Sequence, residues 1–293
     1  MIRAEMRSRN PRSEVPAPEE RELFRELTGT LRAAGTDSAP LEALLILGAA
    51  SGQRGRAVEL TRRRAGGEPL AYVLGRKEFM SVDIAVDERV MVPRPETEVL
   101  VETAERVGAM MNHEPARVCA AGFRSITYLD VGTGSGCIAV ALLVRNPGAR
   151  AVAVDVSEGA LAVAKRNARA HGVLDRLTLV CGDSVGALGD AFRADVLVSN
   201  PPYIADPVIA SLPRDVRDHE PRIALSGGPD GLDFYRHLAH SMRRCVRRGG
   251  AAILEVGYDQ AGSVRGILEN EGMKVEETVK DLAGIDRVVV GRA

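Results

Sequence analysis

The sequence predicts an α/β fold, a mostly parallel sheet of seven strands covered by helices, with a small helical domain ahead of it. Three observations carry this reading. Short apolar segments alternate with helical stretches through the second half of the chain. The first of those segments runs directly into a glycine-rich turn and an apolar helix. Ahead of them, leucines recur at helical spacing. Parallel neighbours need crossover connections, and the crossover helices cover both faces of the sheet.

In chain order, the residues from Met1 to Arg12 are Arg-rich, but Glu5, Glu14, Glu19 and Glu20 break the acid-poor pattern of a transit peptide, so a loose tail is expected. From Glu19 to Arg64 the pattern is helical. Leu23, Leu27 and Leu31 make one apolar stripe, and Leu41, Leu44, Leu45 and Leu47 make a second, with Gly35 and Pro40 between them. Arg62, Arg63 and Arg64 read as a solvated helix end favoured by the dipole. Gly67-Glu68-Pro69 is a turn, and the segment from Ala71 through the β-like Val82 to Val86 reads as a hinge or short hairpin. After Pro93-Arg94-Pro95 a helix is expected over 96–111, with Val99, Leu100, Thr103 and Val107 inward. The seven strand candidates follow at 126–131, 151–156, 177–181, 194–199, 251–256, 274–279 and 287–290. Only a short link joins the last two, which fits one antiparallel strand at the end.

The chain has 293 residues, enough for a large core, and 39 Lys and Arg balance 40 Asp and Glu for a net charge of −1. That balance speaks against a polyanionic partner, and no apolar run reaches the length of a membrane span. Cys119, Cys137, Cys181 and Cys245 form no C-x-x-C pair, and no secretory signal is visible, so a reduced cytoplasm is expected. His113, His171, His219, His237 and His240 lack the spacing of a zinc motif, and the His237/His240 pair reads as helix surface. No metal site is expected. Arg243, Arg244, Arg247 and Arg248 read as another solvated helix end before Gly249-Gly250.

The chemistry gathers at the ends of the strands. Tyr128-Leu129-Asp130-Val131 runs into Gly132-Thr133-Gly134-Ser135-Gly136 and then the helix beginning at Cys137. Glycine admits positive φ and close approach of a ligand to the backbone, and the helix start leaves N–H groups free. A dinucleotide fingerprint would need glycine where Cys137 stands, so a nicotinamide dinucleotide is disfavoured. Asp155 ends the second strand about twenty residues later, where a carboxylate can accept both ribose hydroxyls. Asp183 ends the third, either as an acceptor for an adenine amino group or as a cap of the following turn. The fourth delivers Asn200-Pro201-Pro202-Tyr203. Two prolines fix the turn and carry no N–H, so the Asn200 side chain and the Pro201 carbonyl can aim at one –NH₂ group while the Tyr203 ring packs its planar carrier. This pattern suits an amide or an exocyclic amine.

These residues resemble the class I S-adenosylmethionine-dependent methyltransferases, and within them the HemK/PrmC family of glutamine N5-methyltransferases that modify peptide chain release factors. The resemblance spans residues 62–293 and rests on several motifs in order. They are Gly67-Glu68-Pro69-Leu70-Ala71-Tyr72-Val73-Leu74-Gly75, Pro93-Arg94-Pro95-Glu96-Thr97-Glu98, the glycine turn, Asn200-Pro201-Pro202-Tyr203-Ile204 and His219-Glu220-Pro221. Gly231-Leu232, Leu254-Glu255-Val256-Gly257 and Asp281-Leu282-Ala283-Gly284 before Asp286-Arg287 complete the set.

The resemblance implies a Rossmann-like class I methyltransferase sheet at 79–293, hairpin included, preceded at 1–78 by a tail and a helical domain that docks the substrate. It implies S-adenosyl-L-methionine as cofactor, lined by Gly132, Thr133, Gly134, Ser135, Gly136, Asp155, Asp183, Ser184 and Asn200. Asn200, Pro201, Pro202 and Tyr203 would hold the glutamine of a Gly-Gly-Gln motif in a release factor, with no direct nucleic acid and no membrane involved. Between the 41–47 stripe and Arg62 the chain is about twenty residues shorter than is usual in the family. A nucleic-acid amino-methyltransferase, a relative with a different amide or amine acceptor, and a non-catalytic binding module remain the competing readings. Glu220 beside Pro221 reads as a loop-holding residue rather than a base.

Overall fold

The computed structural model describes residues 18–112, 118–119, 122–123, 125–183 and 185–293, so the expected tail, His113 and Ser184 lie outside the described residues. The chain divides between Leu74 and Gly75 into two compact units.

The first unit holds α1 (Pro18–Ala33), α2 (Ala39–Ala50), α3 (Arg54–Ala65) and the short α4 (Leu70–Leu74). Leu23, Leu27 and Leu31 turn inward as expected. On α2 three of the four leucines of the expected stripe turn outward. Ala39, Ala43, Ile46 and Ala50 are buried, while Leu41, Leu44 and Leu45 are 58%, 57% and 44% exposed. The buried face also carries Glu42, which accepts from Arg64 Nε at 2.6 Å. Small residues and one paired carboxylate thus set the close packing; Leu41, Leu44 and Leu45 face out, and Leu47 is partly buried against the core. Arg64 is therefore the interior partner of Glu42 and not part of a solvated run. Arg63 pairs with Glu68, and Arg62 is exposed.

The second unit opens with the hairpin β1 (Arg76–Phe79) and β2 (Val82–Ala85), turned at Met80 and Ser81, both at positive φ. A 3-10 turn at Pro95–Thr97 leads into α5 (Glu98–Asn112), on which Leu100, Thr103 and Val107 are buried as expected. After the two-residue strands β3 (Val118–Cys119) and β4 (Gly122–Phe123), β5 (Thr127–Val131), α6 (Cys137–Arg145), β6 (Arg150–Asp155), α7 (Glu158–Ala170), β7 (Leu177–Cys181) and β8 (Ala194–Ser199) alternate. Two single-turn helices, α8 (Asp206–Ile209) and α9 (Arg214–Arg217), precede α10 (Asp233–Met242), β9 (Val246–Glu255), α11 (Ala261–Asn270), β10 (Lys274–Lys280) and β11 (Asp286–Arg292).

Among the described residues seven of these strands form one sheet in the order β10-β11-β9-β8-β5-β6-β7. All pairs are parallel except those of β11, which runs antiparallel to both β9 and β10. The expected antiparallel strand is thus inserted between its neighbours. The chain order reverses between β8 and β5, the point at which such sheets open a crevice at their carboxyl ends. One edge strand, β10, carries four charges in seven residues, Lys274, Glu276, Glu277 and Lys280.

The second arginine cluster is also corrected. The helix stops at Met242, and Arg247 and Arg248 lie on β9, which reaches back through an irregularity at Gly249, at φ +72°, and Gly250. Gly250 passes so close to the Asp195 carbonyl that a Cβ would stand 2.8 Å from it, and Arg247 pairs with the buried Asp195. A charged residue inside a strand is stable here because its partner sits on the adjacent strand. Among the described residues no helix is long and apolar enough to cross a membrane.

Asn167 ties the hairpin to the sheet. Buried on α7, it accepts from the Ala85 N–H at 2.8 Å and donates to the Ala85 and Ser135 carbonyls at 2.9 and 2.8 Å. Asn167→Ala removes the side-chain partner of one buried and two part-buried backbone groups, and such a group left unpaired costs about 1–3 kcal/mol when fully buried. Chemical denaturation of Asn167→Ala is expected to show a loss of about 2–4 kcal/mol; a loss under half a kcal/mol, about the error of such measurements, would mean that solvent replaces all three bonds.

Candidate active site

The site is built where β5 and β8 end side by side. β5 ends in the expected glycine turn, with Gly132, Gly134 and Gly136 at φ +73°, +55° and +77°. The Gly132 and Thr133 N–H groups donate to the Val154 carbonyl at 2.9 and 3.0 Å, fastening the turn to β6. At Gly136 a Cβ would lie 2.9 Å from that of Ala164 on α7, so helix packing as well as φ requires glycine there. Asp155 ends β6. Its Oδ2 accepts from the Gly134 N–H at 2.8 Å and its Oδ1 from the Ser157 N–H at 2.9 Å. Each oxygen keeps lone-pair capacity for a further donor, so the carboxylate is held in place and still able to receive a ligand hydroxyl.

A cavity of about 530 Å³ opens over these turns. Its wall includes Gly132, Thr133, Gly134, Ser135, Asp155, Asp183, Asn200 and Pro202, so the structure brings most of the expected cofactor residues together. Gly136 lies beneath the wall, and Asp183 is exposed at the rim. His237 lies on the surface of α10 as read from its spacing, but that surface faces this cavity, and its Nε2 stands 3.3 Å from the Asp183 carbonyl.

A second cavity of about 240 Å³ is lined by Met91, Arg94, Asn200, Pro201, Tyr203 and Leu212, among others. Asn200 and Met91 belong to both walls. The Asn200 Nδ2 donates to Thr97 Oγ1 at 3.0 Å, and its Oδ1 is buried without a hydrogen-bond partner among the described residues. The turn it opens is rigid for reasons beyond its prolines. The Tyr203 carbonyl accepts from Gln260 Nε2 at 2.9 Å, and Ile204 bonds to Leu225 and Gly227. A Cβ on Gly231 would stand 2.4 Å from the Tyr203 carbonyl, and one on Gly227 would stand 2.8 Å from that of Pro202. Burial pushes the Tyr203 phenol up to about 12.

Glu220 is buried and accepts from Arg94 Nη2 at 2.6 Å. Burial raises its carboxyl while Arg94 favours the charged form. The pair joins the segment before α5 to the loop after α9, which fits the holding role read from the sequence. Among the described residues no group of three or more His, Cys, Asp or Glu side chains could hold a metal ion.

Comparison with known proteins places the chain in a family. A family model described as the methyltransferase small domain matches residues 117–211. The release factor glutamine methyltransferase of Caulobacter vibrioides is 43% identical over 230 residues, covering 78% of this chain and 75% of the relative. That of Geobacter sulfurreducens is 44% identical over 233 residues, with 80% and 76% covered. That of Moorella thermoacetica is 39% identical over 289 residues, with 91% and 96% covered. This chain belongs to the release factor glutamine methyltransferase family. Among solved structures the hMettl16 catalytic domain, in complex with MAT2A 3'UTR hairpin 6, superposes with a TM-score of 0.57 at 18% identity, covering 80% of this chain and 82% of that one. At that identity the likeness shows the fold alone.

For a member of this family the sequence left several supports of the site unassigned: Asn167, Gln260, Gly227 and the Thr97 hydroxyl. Asn167 and Gln260 are single polar residues whose partners are distant in sequence, so no local pattern marks them. Gly231 and Thr97 stand in the quoted motifs, but their role shows only once the backbone they touch is in place.

Beneath the glycine turn Asp130 is fully buried, with Thr133 Oγ1 donating to its Oδ2 at 2.6 Å, and burial pushes its carboxyl up to about 7 from an ordinary 3.8. Between those values the folded chain holds a proton that the unfolded chain has released, so this group makes stability fall as pH rises through the window and level off above it. Denaturation at a series of pH values should show a shallower fall in Asp130→Asn than in the parent. Equal slopes would mean that Asp130 ionises normally.

Proposed function

We propose that this chain methylates the side-chain amide nitrogen of the glutamine in a release factor's Gly-Gly-Gln motif, using S-adenosyl-L-methionine, in the cytoplasm. The observation that carries the reading is the position of Asn200 in the wall shared by two cavities, with a buried Oδ1 that lacks a partner. The larger cavity suits the cofactor, because its glycine turn leaves backbone open to a ligand and Asp155 is preorganised. The smaller one is of a size for an extended side chain. Family membership supports the acceptor, since the curated relatives are named for it.

In this reading Gly132 to Ser135 would hold the cofactor, with Gly136 beneath them letting α7 pack close, while Asp155 would accept from the ribose hydroxyls and Asp183 from the adenine amino group. When bound, S-adenosylmethionine supplies an electrophilic methyl group on a sulfonium. An amide nitrogen is a poor nucleophile because its lone pair is delocalised, so the protein must act on the nitrogen. The Asn200 Oδ1 and the Pro201 carbonyl accept its two N–H bonds, orient it and favour a pyramidal geometry. The Tyr203 ring packs the amide plane. No strong base is needed, because the proton can leave once positive charge has formed on nitrogen.

Incubation with labelled cofactor and, in parallel, a release factor, bulk tRNA and DNA is expected to put label on the release factor alone, with mass mapping to the Gly-Gly-Gln glutamine. Label entering nucleic acid instead would favour an amino-methyltransferase. Asn200→Ala should reduce the single-turnover rate by on the order of 10²–10³ while leaving the fold and most cofactor affinity intact, because the lost acceptor matters most as charge develops. A parental rate would make the turn purely structural. Asp155→Ala should weaken cofactor binding in calorimetry by about 1.5–3 kcal/mol, the range for hydrogen bonds to a charged group, and unchanged affinity would remove Asp155 from the site.

A further inference from the structure

Behind Asn200 lies a run of buried polar groups that the proposed chemistry leaves unused. Thr97, in the 3-10 turn before α5, is almost fully buried, and its Oγ1 accepts from Asn200 Nδ2. Beyond it stands Glu255, the last residue of β9. It has no exposed surface, and neither carboxylate oxygen has a hydrogen-bond partner among the described residues. The Thr97 and Tyr203 hydroxyls face it and favour its charged form, as does Arg287 of β11, while Glu96 beside Thr97 opposes it. Tyr235 of α10 donates its hydroxyl to the Glu255 backbone carbonyl at 2.7 Å, and Cys137 at the start of α6 also feels the charge.

A threonine hydroxyl has one proton, so what it gives to one neighbour it cannot give to another. Where Glu255 is ionised it can only accept, and the Thr97 proton goes to it. Thr97 then meets Asn200 as an acceptor, which selects Nδ2 and leaves Oδ1 turned away. Where Glu255 is protonated it can donate to Thr97 instead, and the Thr97 proton turns toward Asn200. The amide then presents Oδ1 to Thr97 and Nδ2 to the acceptor cavity, where a donor opposes the N–H groups of a substrate amide.

We propose that Glu255 is a positioning residue that sets the polarity of Asn200 through Thr97, so that its ionised form holds Oδ1 toward the nitrogen to be methylated. This deepens the function proposed above and rests on Asn200 acting there as an N–H acceptor. Three groups linked in one direction also polarise one another, so the last acceptor in the line is strengthened. Burial brings the Glu255 carboxyl up to about 7, and the change of polarity falls in the neutral range.

The test follows the Asn200 side-chain amide by NMR, its resonances identified by their loss in Asn200→Ala, alongside single-turnover methylation of a release factor over the same pH range. In the parent protein the resonances should shift with a midpoint near neutrality, and the rate should rise with pH through that midpoint. Glu255→Gln should abolish both responses. Thr97→Val should abolish them and slow the step by on the order of 10²-fold, with S-adenosylmethionine affinity changed by less than about threefold. Thr97→Ser should restore rate and profile together. Asn200 resonances that ignore pH in an active parent, or a parental profile kept in either Glu255→Gln or Thr97→Val, would overturn the proposal. Because the NMR arm needs no acceptor, a parent whose amide titrates but which leaves release factor unmethylated supports the coupling and counts against the acceptor assignment alone. Should Glu255→Gln fail to fold, Thr97→Val breaks the same line one step later and decides the matter.

Discussion

The parallel pairing of β5 with β8 is the constraint from which the site follows. Tyr128, Leu129 and Asp130 lie beside Val196, Leu197 and Val198, and at the carboxyl end the Ser199 hydroxyl donates to the Val131 carbonyl at 2.7 Å. That bond holds level the last residues of two strands whose chains then part, one into the glycine turn and the other into Asn200 and its prolines. Neither turn alone encloses anything. Side by side they give a floor of open backbone next to a rigid acceptor, which is why Asn200 belongs to two cavities at once.

Around that pair the molecule uses close backbone contact more than side-chain bulk. Gly136 admits α7 against the turn, and Gly227 and Gly231 admit the loop after α9 against the carbonyls of Pro202 and Tyr203. Single polar side chains then span between segments. Asn167 joins hairpin to turn, Gln260 joins the start of α11 to Tyr203, and Arg94 with Glu220 joins the two loops flanking the smaller cavity. Each link satisfies groups that burial would otherwise leave unpaired, so the floor of the site is rigid before any ligand arrives.

Much of this was legible in the amino-acid order because it is local. Apolar segments bounded by glycine and helical stretches placed all seven strands of the sheet, and the turns after β5 and β8 could be read as ligand-facing from their glycines and prolines. What escaped was nonlocal. The leucines of α2 have the spacing of a buried stripe, yet the alanine face packs more closely and brings Glu42 to Arg64. Arg247 follows a helix and looks like its solvated end, but the glycine pair at 249–250 lets β9 start earlier and carry it to Asp195. Glu255 and Thr97 stood inside recognisable motifs, and only the fold places them in line behind Asn200.

The far edge of the sheet has its own consequence. β10 is paired on one side only among the described residues, and it carries Lys274, Glu276, Glu277 and Lys280 within seven positions. A strand from another molecule that added there would have to draw these charges out of water as it zipped. Backbone groups left open by the end of the sheet are therefore poor templates for templated growth. The candidate crevice between β8 and β5, well away from this edge, can keep its open, apolar walls without the same sheet seeding aggregation from β10.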